Sequence, residues 1–294
     1  MAAAKTLNIG VVVNCSKPGA REVLNQLIEF SQGHPNLRLR FEKRTGGLIR
    51  QPGLSESELA KKSDLLLVAG GDGSLLDVVD SIFPSQVPIL GVNIGSLGFL
   101  TAVAETEVAT IFPYLAKNNL LLSPRLVLET TFHHANGKNQ HIPCALNDVV
   151  ISRDNVSRLA RIRVEVGDHL VTEYVCDGLI VSTPTGSTAY SLAAGGPILS
   201  PDADSILLTP ICPHTLTNRA LVVGTDQVIR IRVIRQAGVP APAVQFDGRP
   251  GGNLRTHEWL EIKPAQAKIQ LAYLPHSNFY HVLRQKLKWS GASI

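Results

Sequence analysis

The sequence predicts an α/β protein with a doubly wound parallel-sheet domain at the N-terminus, a β-rich domain after it, and a C-terminal helix that packs back on the first domain. In the first part of the chain, apolar and β-branched runs alternate with segments of helical spacing, which is typical of parallel βα units. After Pro124 the runs alternate apolar and charged residues, which indicates antiparallel strands with one solvent-exposed face. We therefore expect an α/β domain at 1–124, a β-rich domain at 125–275 and the returning helix within 276–294.

The elements of the first domain follow from local signals. Ser55 with Glu58 three residues later is a capping-box pattern, so a helix is predicted at Ser55–Lys62. Apolar or β-branched runs predict strands at Leu7–Asn14, Asp64–Ala69 and Pro88–Val92, and alternating residues predict another at Leu37–Glu42. Apolar residues three and four positions apart predict the other helices at Pro18–Ser31, Ser74–Ile82 and Val103–Leu115.

The second domain is predicted to contain mostly strands. A short helix is expected after Pro184-Thr185-Gly186, and the tail at Ser277–Trp289 has the apolar spacing of a helix. The runs that predict strands include Leu126–Phe132, Ala145–Ser152, Arg161–Val166 and Val228–Ile234.

The composition is that of an ordinary globular protein, with 44% hydrophobic and 18% charged residues in a chain of 294. A formal net charge of +4 is too small to indicate nucleic-acid binding. No apolar run approaches the roughly 20 residues that span a bilayer, and the N-terminus lacks the apolar stretch of a signal peptide. We therefore expect a cytoplasmic protein without a membrane or nucleic-acid partner.

The four cysteines are Cys15, Cys144, Cys176 and Cys212, and they are far apart in the sequence. They show no CxxC spacing, so neither a disulfide framework nor a zinc site is expected. We expect them to be small buried hydrophobes in a reducing compartment.

The run Gly70-Gly71-Asp72-Gly73-Ser74 follows a predicted strand and opens a predicted helix. The backbone N–H groups of such a turn, together with the helix dipole, can hold a phosphate group. Asp72 would repel that phosphate, so an acid at this place suits proton abstraction from a hydroxyl, or a metal ion that cancels the repulsion. A purely structural turn with Asp72 or Ser74 as helix cap is the alternative. Three glycines around one acid favour the functional interpretation.

A second glycine turn with Gly95, Gly98 and Phe99 follows the next strand of the same predicted sheet. Alone, such a turn is usually structural. Because ligands bind beyond the carboxyl ends of parallel strands, this turn is a candidate for the second wall of one cleft.

Two further stretches of polar residues lie in the second domain. Asn147-Asp148 interrupts the apolar run Ala145–Val150, either as a bulge or turn or as a pair that hydrogen-bonds a sugar diol. The stretch from Tyr174 to Ile198 is rich in glycines and hydroxyls, and Tyr190 offers a flat face on which a base can stack. Glycine-rich packing without a ligand is the weaker interpretation of that stretch.

With these motifs, the sequence resembles the NAD kinase family, whose members use ATP or polyphosphate. The resemblance covers nearly the whole chain. It implies transfer of the terminal phosphoryl group of ATP to the 2′-hydroxyl of the adenosine ribose of NAD, giving NADP. The matching stretches are Gly70–Ser74, Gly91–Thr101, Asn147-Asp148 and the highly specific Asp177–Pro201.

The resemblance also implies roles for individual residues. Asp72 is the general base with Gly73 beside it, and Asn147 with Asp148 holds the adenosine ribose. Family members usually have glutamate where this chain has Asp148, whose side chain is one methylene shorter. Asp177 contacts a dinucleotide, often that of a neighbouring subunit. The remaining implied contacts to NAD are Arg158, Thr188, Ala189, Tyr190, Ser191, Leu192, Ala193 and Asp247, and the implied phosphate contacts are Gly70, Gly71, Gly73 and Ser74.

The resemblance further implies a divalent cation, usually Mg²⁺, and assembly into dimers or tetramers. Two alternatives remain open. A lipid kinase of the diacylglycerol or sphingosine type shares the glycine–acid turn, but it would need an apolar acceptor pocket or a membrane-binding face. A non-catalytic regulator that binds dinucleotides is the other, although pure binding does not require an acid that faces phosphate.

Overall fold

The computed structural model describes residues 6–101, 103–117, 119–153, 159–234, 240–275 and 277–289. The chain divides into two compact units: Met1–Pro124 together with Ile269–Ile294 form the first, and Arg125–Lys268 form the second. Each unit has its own apolar core. Within the described ranges, no helix is both long and apolar enough to cross a membrane.

The first unit contains one sheet, ordered β3-β2-β1-β4-β5-β20-β7 with β6 beside β5. Its strands are β1 (Leu7–Val13), β2 (Leu37–Glu42), β3 (Gly53–Leu54), β4 (Leu65–Gly70), β5 (Ile89–Asn93), β6 (Val103–Ala104), β7 (Leu121–Arg125) and β20 (Ile269–Tyr273). The pairs β1–β2, β1–β4, β4–β5 and β5–β20 are parallel. The carboxyl ends of β1, β4 and β5 therefore lie at one edge of the sheet, where ligands bind in folds of this kind.

Helices cover both faces of this sheet. They are α1 (Ala20–Gln32), α2 (Lys43–Leu48), α3 (Glu56–Lys61), α4 (Asp72–Ile82), α5 (Val108–Lys117) and α7 (Phe279–Leu287). Leu24 of α1 and Ile111 of α5 are fully buried in one core with alternate residues of β1 and β4. Leu59 of α3 packs on the opposite face, because a Cβ added to Gly10 of β1 would lie 2.8 Å from Leu59 Cγ. The predicted doubly wound sheet is thus confirmed.

Several elements of the first unit differ from the prediction. α4 begins at Asp72 rather than Ser74, because Gly71 takes the N-cap position and an acidic residue is favourable in the first turn of a helix. The helix predicted at Val103–Leu115 begins only at Val108, after β6 and a 3-10 turn. The segment of β20 falls inside the predicted β-rich domain at 125–275, yet it pairs with β5 of the first sheet.

The second unit consists of two antiparallel sheets, which confirms the β-rich prediction. One sheet has the order β15-β14-β13-β10-β17-β18 and the other β12-β11-β16-β19-β8-β9. Ile162 of β11 and Val181 of β13 share one buried core, so the sheets pack face to face. The strands are β8 (Leu128–His133), β9 (Asn139–Ala145), β10 (Asp148–Ser152), β11 (Ala160–Val166), β12 (His169–Cys176), β13 (Gly178–Ser182), β14 (Ser205–Ile211), β15 (Leu221–Gly224), β16 (Ile229–Val233), β17 (Ala243–Phe246), β18 (Arg249–Asn253) and β19 (Trp259–Pro264).

The predicted short helix after Pro184 is present as a 3-10 turn at Gly186–Thr188 followed by α6 (Tyr190–Ala193). The predicted continuous strand Ala145–Ser152 is broken, since β9 ends at Ala145 and β10 begins at Asp148 in the other sheet. The two residues between them, Leu146 and Asn147, form a bend that joins the two sheets.

The cysteines follow the expectation only in part. Cys144 and Cys176 are buried, whereas Cys15 and Cys212 are exposed. Cys15 comes just after β1 and Cys212 just after β14, so both lie where a buried strand has already ended. All four are free thiols.

Candidate active site

The phosphate turn predicted at Gly70–Ser74 forms the junction between β4 and α4. β4 ends at Gly70, Gly71 is the N-cap of α4, and Asp72 is the first residue of the helix. The carboxyl end of a central parallel strand thus leads directly into the positive end of a helix dipole. This is the geometry in which helices bind phosphate groups.

The glycines of this turn serve different purposes. A Cβ added to Gly70 would lie 2.5 Å from Ser74 Oγ, so the packing of the turn requires glycine there. At Gly71 and Gly73, an added Cβ would meet nothing within 4 Å. Neither residue has a positive φ. The fold itself therefore does not require glycine at these two positions, and the space that they leave open is available to a ligand.

The carboxylate of Asp72 is held by the second glycine turn. Its Oδ1 accepts from Leu100 N at 3.0 Å, from Thr101 N at 3.2 Å and from Thr101 Oγ1 at 3.2 Å. Its Oδ2 accepts from Phe99 N at 2.8 Å. A Cβ at Gly98 would lie 1.9 Å from Asp72 Oδ1, so only glycine permits this approach. The structure thus brings the two predicted glycine turns together around one carboxylate.

Buried polar contacts fix the shape of the second glycine turn. Asn93, at the end of β5, donates from Nδ2 to the carbonyl oxygen of Gly95 at 2.8 Å. Its Oδ1 lies 3.3 Å from Thr101 Oγ1, whose single proton is shared between Asn93 Oδ1 and Asp72 Oδ1. Gly95 has a φ of 105°, a conformation that favours glycine. The amides that bind Asp72 therefore come from an ordered segment.

In the second unit, the Asn147-Asp148 pair lies at the bend between β9 and β10. The carboxylate of Asp247 accepts from Leu146 N at 2.8 Å, from Asn147 N at 2.8 Å and from Asp148 N at 3.0 Å. Asp247 and Gly248 both have positive φ and connect β17 to β18 as a tight hairpin turn. The buried Asp247 side chain thus anchors the bend, and its predicted contact with the dinucleotide stays a prediction.

Asp148 is itself buried, with 5% of its surface exposed. Within the described part of the chain, no hydrogen-bond donor contacts its carboxylate. Burial raises its pKa from 3.8 to about 7, and the negative charge of Asp247 adds to the rise. Burial raises the pKa of Asp247 as well, against the lowering effect of the three amides and of Arg249. A buried carboxyl group without a partner is suited to bind the hydroxyl groups of a ligand.

The hydroxyl-rich turn after β13 packs directly on this bend. Thr183 Oγ1 donates to the carbonyl oxygen of Leu146 at 2.6 Å, and Thr183 N donates to that of Asn147 at 2.9 Å. A Cβ at Gly186 would lie 2.1 Å from the carbonyl oxygen of Asn147, so the contact requires glycine. The turn and the bend therefore form one rigid feature, to which the Asp247 hairpin also belongs.

Several hydroxyls of this turn bond to the protein rather than pointing toward a ligand. Ser187 Oγ donates to the carbonyl oxygen of Pro184 at 2.6 Å, Thr188 Oγ1 donates to that of Thr185 at 3.1 Å, and Ser191 Oγ pairs with Thr209 Oγ1 at 2.8 Å. The density of hydroxyls thus has a structural reason that the sequence interpretation did not recognise.

The other predicted NAD contacts fall on or near α6. Thr188 and Ala189 precede the helix, and Tyr190, Ser191, Leu192 and Ala193 form it. Tyr190 is 46% exposed, so its ring face is open to a base. Asp177, just before β13, pairs with Arg153 at 2.8 Å between Oδ1 and Nε. Arg158 lies outside the described residues.

A pocket of about 790 Å³ lies in the first unit beside the phosphate turn. Its lining includes Ser74, Asp77, Arg44 after β2, and Asn14 and Ser16 after β1. Across the ranges that the structure describes, no cluster of three or more histidine, cysteine or acidic side chains is suited to hold a metal ion.

A carboxylate held by amides, beside glycines that leave open space at a helix N-terminus, defines a phosphotransferase that acts on a hydroxyl acceptor. Two family models match the chain: the ATP-NAD kinase N-terminal domain over residues 9–119 and the ATP-NAD kinase C-terminal domain over residues 146–274. The NAD kinase of Heliobacterium modesticaldum is 38% identical over 284 residues, which is 95% of this chain and 98% of that protein. The NAD kinase of Caldanaerobacter subterraneus subsp. tengcongensis is 37% identical over 282 residues, with the same coverage of 95% and 98%. The chain belongs to the NAD kinase family.

Solved structures support the same fold. Yeast NADH kinase, complexed with NADH, has a TM-score of 0.89 at 23% identity, covering 99% of this chain and 90% of that one. An NAD kinase from Archaeoglobus fulgidus, complexed with ATP, has a TM-score of 0.72 at 21% identity, covering 97% and 100%. At these identities the likeness concerns the fold alone.

Proposed function

We propose that this protein transfers the terminal phosphoryl group of ATP to the 2′-hydroxyl of the adenosine ribose of NAD, giving NADP and ADP. Membership of the NAD kinase family supports the reaction. The observation that carries the chemistry is the Asp72 carboxylate, which the second glycine turn holds in one orientation beside open space at Gly71 and Gly73.

Asp72 takes the proton of the 2′-hydroxyl as the bond from that oxygen to phosphorus forms and the bond to the bridging oxygen of ADP breaks. A ribose hydroxyl is a weak nucleophile, so a positioned base lowers the barrier. Oδ2 accepts only one hydrogen bond within the described residues and retains room for the proton. The amides of the turn Gly70–Ser74 bind the phosphate that is transferred.

The second unit binds the dinucleotide. Asn147 and Asp148 exchange hydrogen bonds with the ribose hydroxyls, and Asp247 positions both residues by accepting from their amides. Tyr190 and its neighbours on α6 lie along the adenine. Asp177 contacts a dinucleotide of a neighbouring subunit in a dimer or tetramer. The oligomeric state and the cytoplasmic location stay predictions.

The pocket that Ser74 and Arg44 line is the place for the donor. It opens beyond the carboxyl ends of β1 and β2 and runs along α4 from Ser74 to Ser81. Mg²⁺ is usually bound by one or two carboxylates together with the phosphates of its substrate, so it needs no cage of protein ligands. Glu42, Glu56 and Asp77 line the same pocket. Because Glu42 already accepts from the amides of Arg44 and Thr45, Glu56 and Asp77 are the carboxylates that would hold such an ion. The ion would spread the negative charge that develops on the phosphates.

A matrix of donors and acceptors tests this proposal. The purified protein is incubated with Mg²⁺ and either ATP or polyphosphate, and with NAD, NADH or diacylglycerol. NADP formation is followed with an NADP-specific dehydrogenase. We expect turnover with ATP and NAD. Phosphorylation of diacylglycerol instead would identify a lipid kinase, and NAD binding by calorimetry without product would identify a non-catalytic regulator.

A further inference from the structure

The C-terminal helix α7 contacts the glycine turn that holds Asp72. Lys286 Nζ donates to the carbonyl oxygen of Leu97 at 2.6 Å. The same ammonium group lies 5.5 Å from the centroid of the Phe99 ring, which is a cation–π geometry. One side chain therefore contacts this turn at two residues, Leu97 and Phe99.

Phe99 also donates to Oδ2, the oxygen of the Asp72 carboxylate that has fewer donors. Its backbone N–H donates to Asp72 Oδ2 at 2.8 Å, and within the described residues it is the one donor to that oxygen. The ammonium group of Lys286 is thus separated from Asp72 Oδ2 by a single residue. A shift of Phe99 therefore moves the one described donor to Oδ2.

The helix that carries Lys286 is well anchored. Val282 and Leu283 are buried, and the side chain of Asn278 caps the helix by accepting from His281 N at 2.8 Å. Lys286 itself is exposed and contributes nothing to the core. The contact of Lys286 with the Leu97 carbonyl therefore serves the glycine turn and not the packing of the helix.

We infer that Lys286 is a positioning residue for the phosphoryl-transfer step: it fixes Leu97 and Phe99, and through the Phe99 amide it orients Oδ2 of Asp72. This inference rests on the proposed function, in which Asp72 is the base. Nothing in it requires Lys286 to touch either substrate.

Three variants test the inference in the full-length protein. Lys286→Met keeps an unbranched side chain that is one atom shorter, and it removes the ammonium group that makes both contacts. Lys286→Arg keeps a positive charge and donors that can reach the Leu97 carbonyl and the Phe99 ring. Arg284→Met is the matched control, because it removes a positive charge from an exposed position of the same helix. Within the described residues, the Arg284 side chain makes no hydrogen bond or ion pair.

For Lys286→Met we expect kcat to fall about 10- to 100-fold, because small displacements of a catalytic group have effects of that size. The KM values for NAD and ATP should stay within about twofold, since the binding groups are untouched. Lys286→Arg should restore most of the rate, and Arg284→Met should match the wild type. Amide hydrogen exchange in the peptide that covers residues 95–101 should be faster in Lys286→Met alone.

Two kinetic results overturn the inference. Lys286→Met with wild-type kcat shows that the contacts do not position Asp72, whatever the exchange rates are. A selective rise in the KM for ATP shows that Lys286 binds the donor directly. If the wild type does not phosphorylate NAD, the proposed function fails. The exchange experiment then decides by itself whether Lys286 orders the glycine turn. Unchanged exchange in Lys286→Met would show that it does not.

Discussion

The two oxygens of the Asp72 carboxylate differ in the number of donors that they meet. Oδ1 accepts from two amides and one hydroxyl, whereas Oδ2 accepts from the amide of Phe99. A carboxylate oxygen has about two acceptor sites, so Oδ1 is saturated and Oδ2 is not. If Asp72 is the base, as we propose, this asymmetry favours Oδ2 as the oxygen that takes the proton.

Asp72→Asn should lower kcat by roughly 10²- to 10⁴-fold, the usual contribution of a general base. NAD affinity, measured by calorimetry, should be nearly unchanged. Because an amide nitrogen would replace one accepting oxygen, the variant should also lose about 1–3 kcal/mol of stability. Glu29→Gln, on an exposed position of α1, is the control for loss of one negative charge. A variant with wild-type kcat would exclude Asp72 as the base.

Gly73→Ala separates the needs of the fold from those of the ligand. The added methyl group meets nothing within 4 Å and lies in the first turn of α4, so stability should rise by about 0.5–1 kcal/mol. Activity should fall about 10-fold or more, because the methyl group enters the space for phosphate.

Gly47→Ala is the matched control for that substitution. Gly47 is also a helical glycine with nothing within 4 Å, but it lies in α2. It should gain similar stability in thermal denaturation and keep full activity. If Gly73→Ala is as active as Gly47→Ala, the open space at Gly73 is not part of the phosphate site.

Among the elements, those with local signals were predictable from the sequence. Helix α3 begins where Ser55 and Glu58 form the capping box, because both partners lie within one turn. Residues 269–273 fall in the predicted β-rich domain at 125–275, yet they pair with β5, because a parallel partner such as Ile89 lies far away in the sequence. Pairing across that distance leaves no local pattern.

The candidate site shows the same limit. The sequence identified both glycine turns at strand ends and the Asn147-Asp148 pair as an interruption of an apolar run. It did not identify the amides of Phe99–Thr101 as the partners of Asp72, because backbone donors have no sequence signature. An Asp-Gly dipeptide between two strands is a strong signal for a hairpin turn. Asp247-Gly248 is such a signal, and it indicates the turn that anchors the Asn147 bend.

The bend between β9 and β10 should make stability depend on pH. The folded state raises the pKa of Asp148 from 3.8 to about 7, so the folded protein binds a proton that the unfolded chain has released. This contribution to the free energy of unfolding is fully present below about pH 4 and is lost as pH rises toward 7. Asp247 acts in the same direction, since its pKa is also raised.

The free energy of unfolding of Asp148→Asn, minus that of the wild type, should therefore be larger at pH 8 than at pH 4.5. We expect a difference on the order of a few kcal/mol at most. Urea denaturation at the two values of pH measures the difference. Asp168→Asn is the control, because the side chain of Asp168 is 99% exposed. Equal pH profiles for Asp148→Asn and the wild type would contradict the raised pKa.

At the scale of the whole molecule, the two units differ in how the chain builds them. Arg125–Lys268 is continuous and contains both sheets of its own core. The first unit combines the N-terminal segment with Ile269–Ile294, and β20 lies between β5 and β7 in its sheet. Ala272 of β20 belongs to the buried core of that unit. The first unit therefore depends on both ends of the chain, and the second does not.

This difference predicts opposite behaviour of two fragments. Residues 125–268 alone should fold, with β-type circular dichroism, dispersed amide NMR signals and a cooperative thermal transition, because no strand of either sheet is missing. Residues 1–124 alone should show no cooperative transition, since removal of β20 separates β7 from β5 and exposes Leu90 and Val92 of the core. Adding residues 269–294 in trans should restore a transition to the N-terminal fragment, because the peptide carries both β20 and α7. A cooperative unfolding transition of residues 1–124 without that peptide would show that the first unit folds without the C-terminal segment.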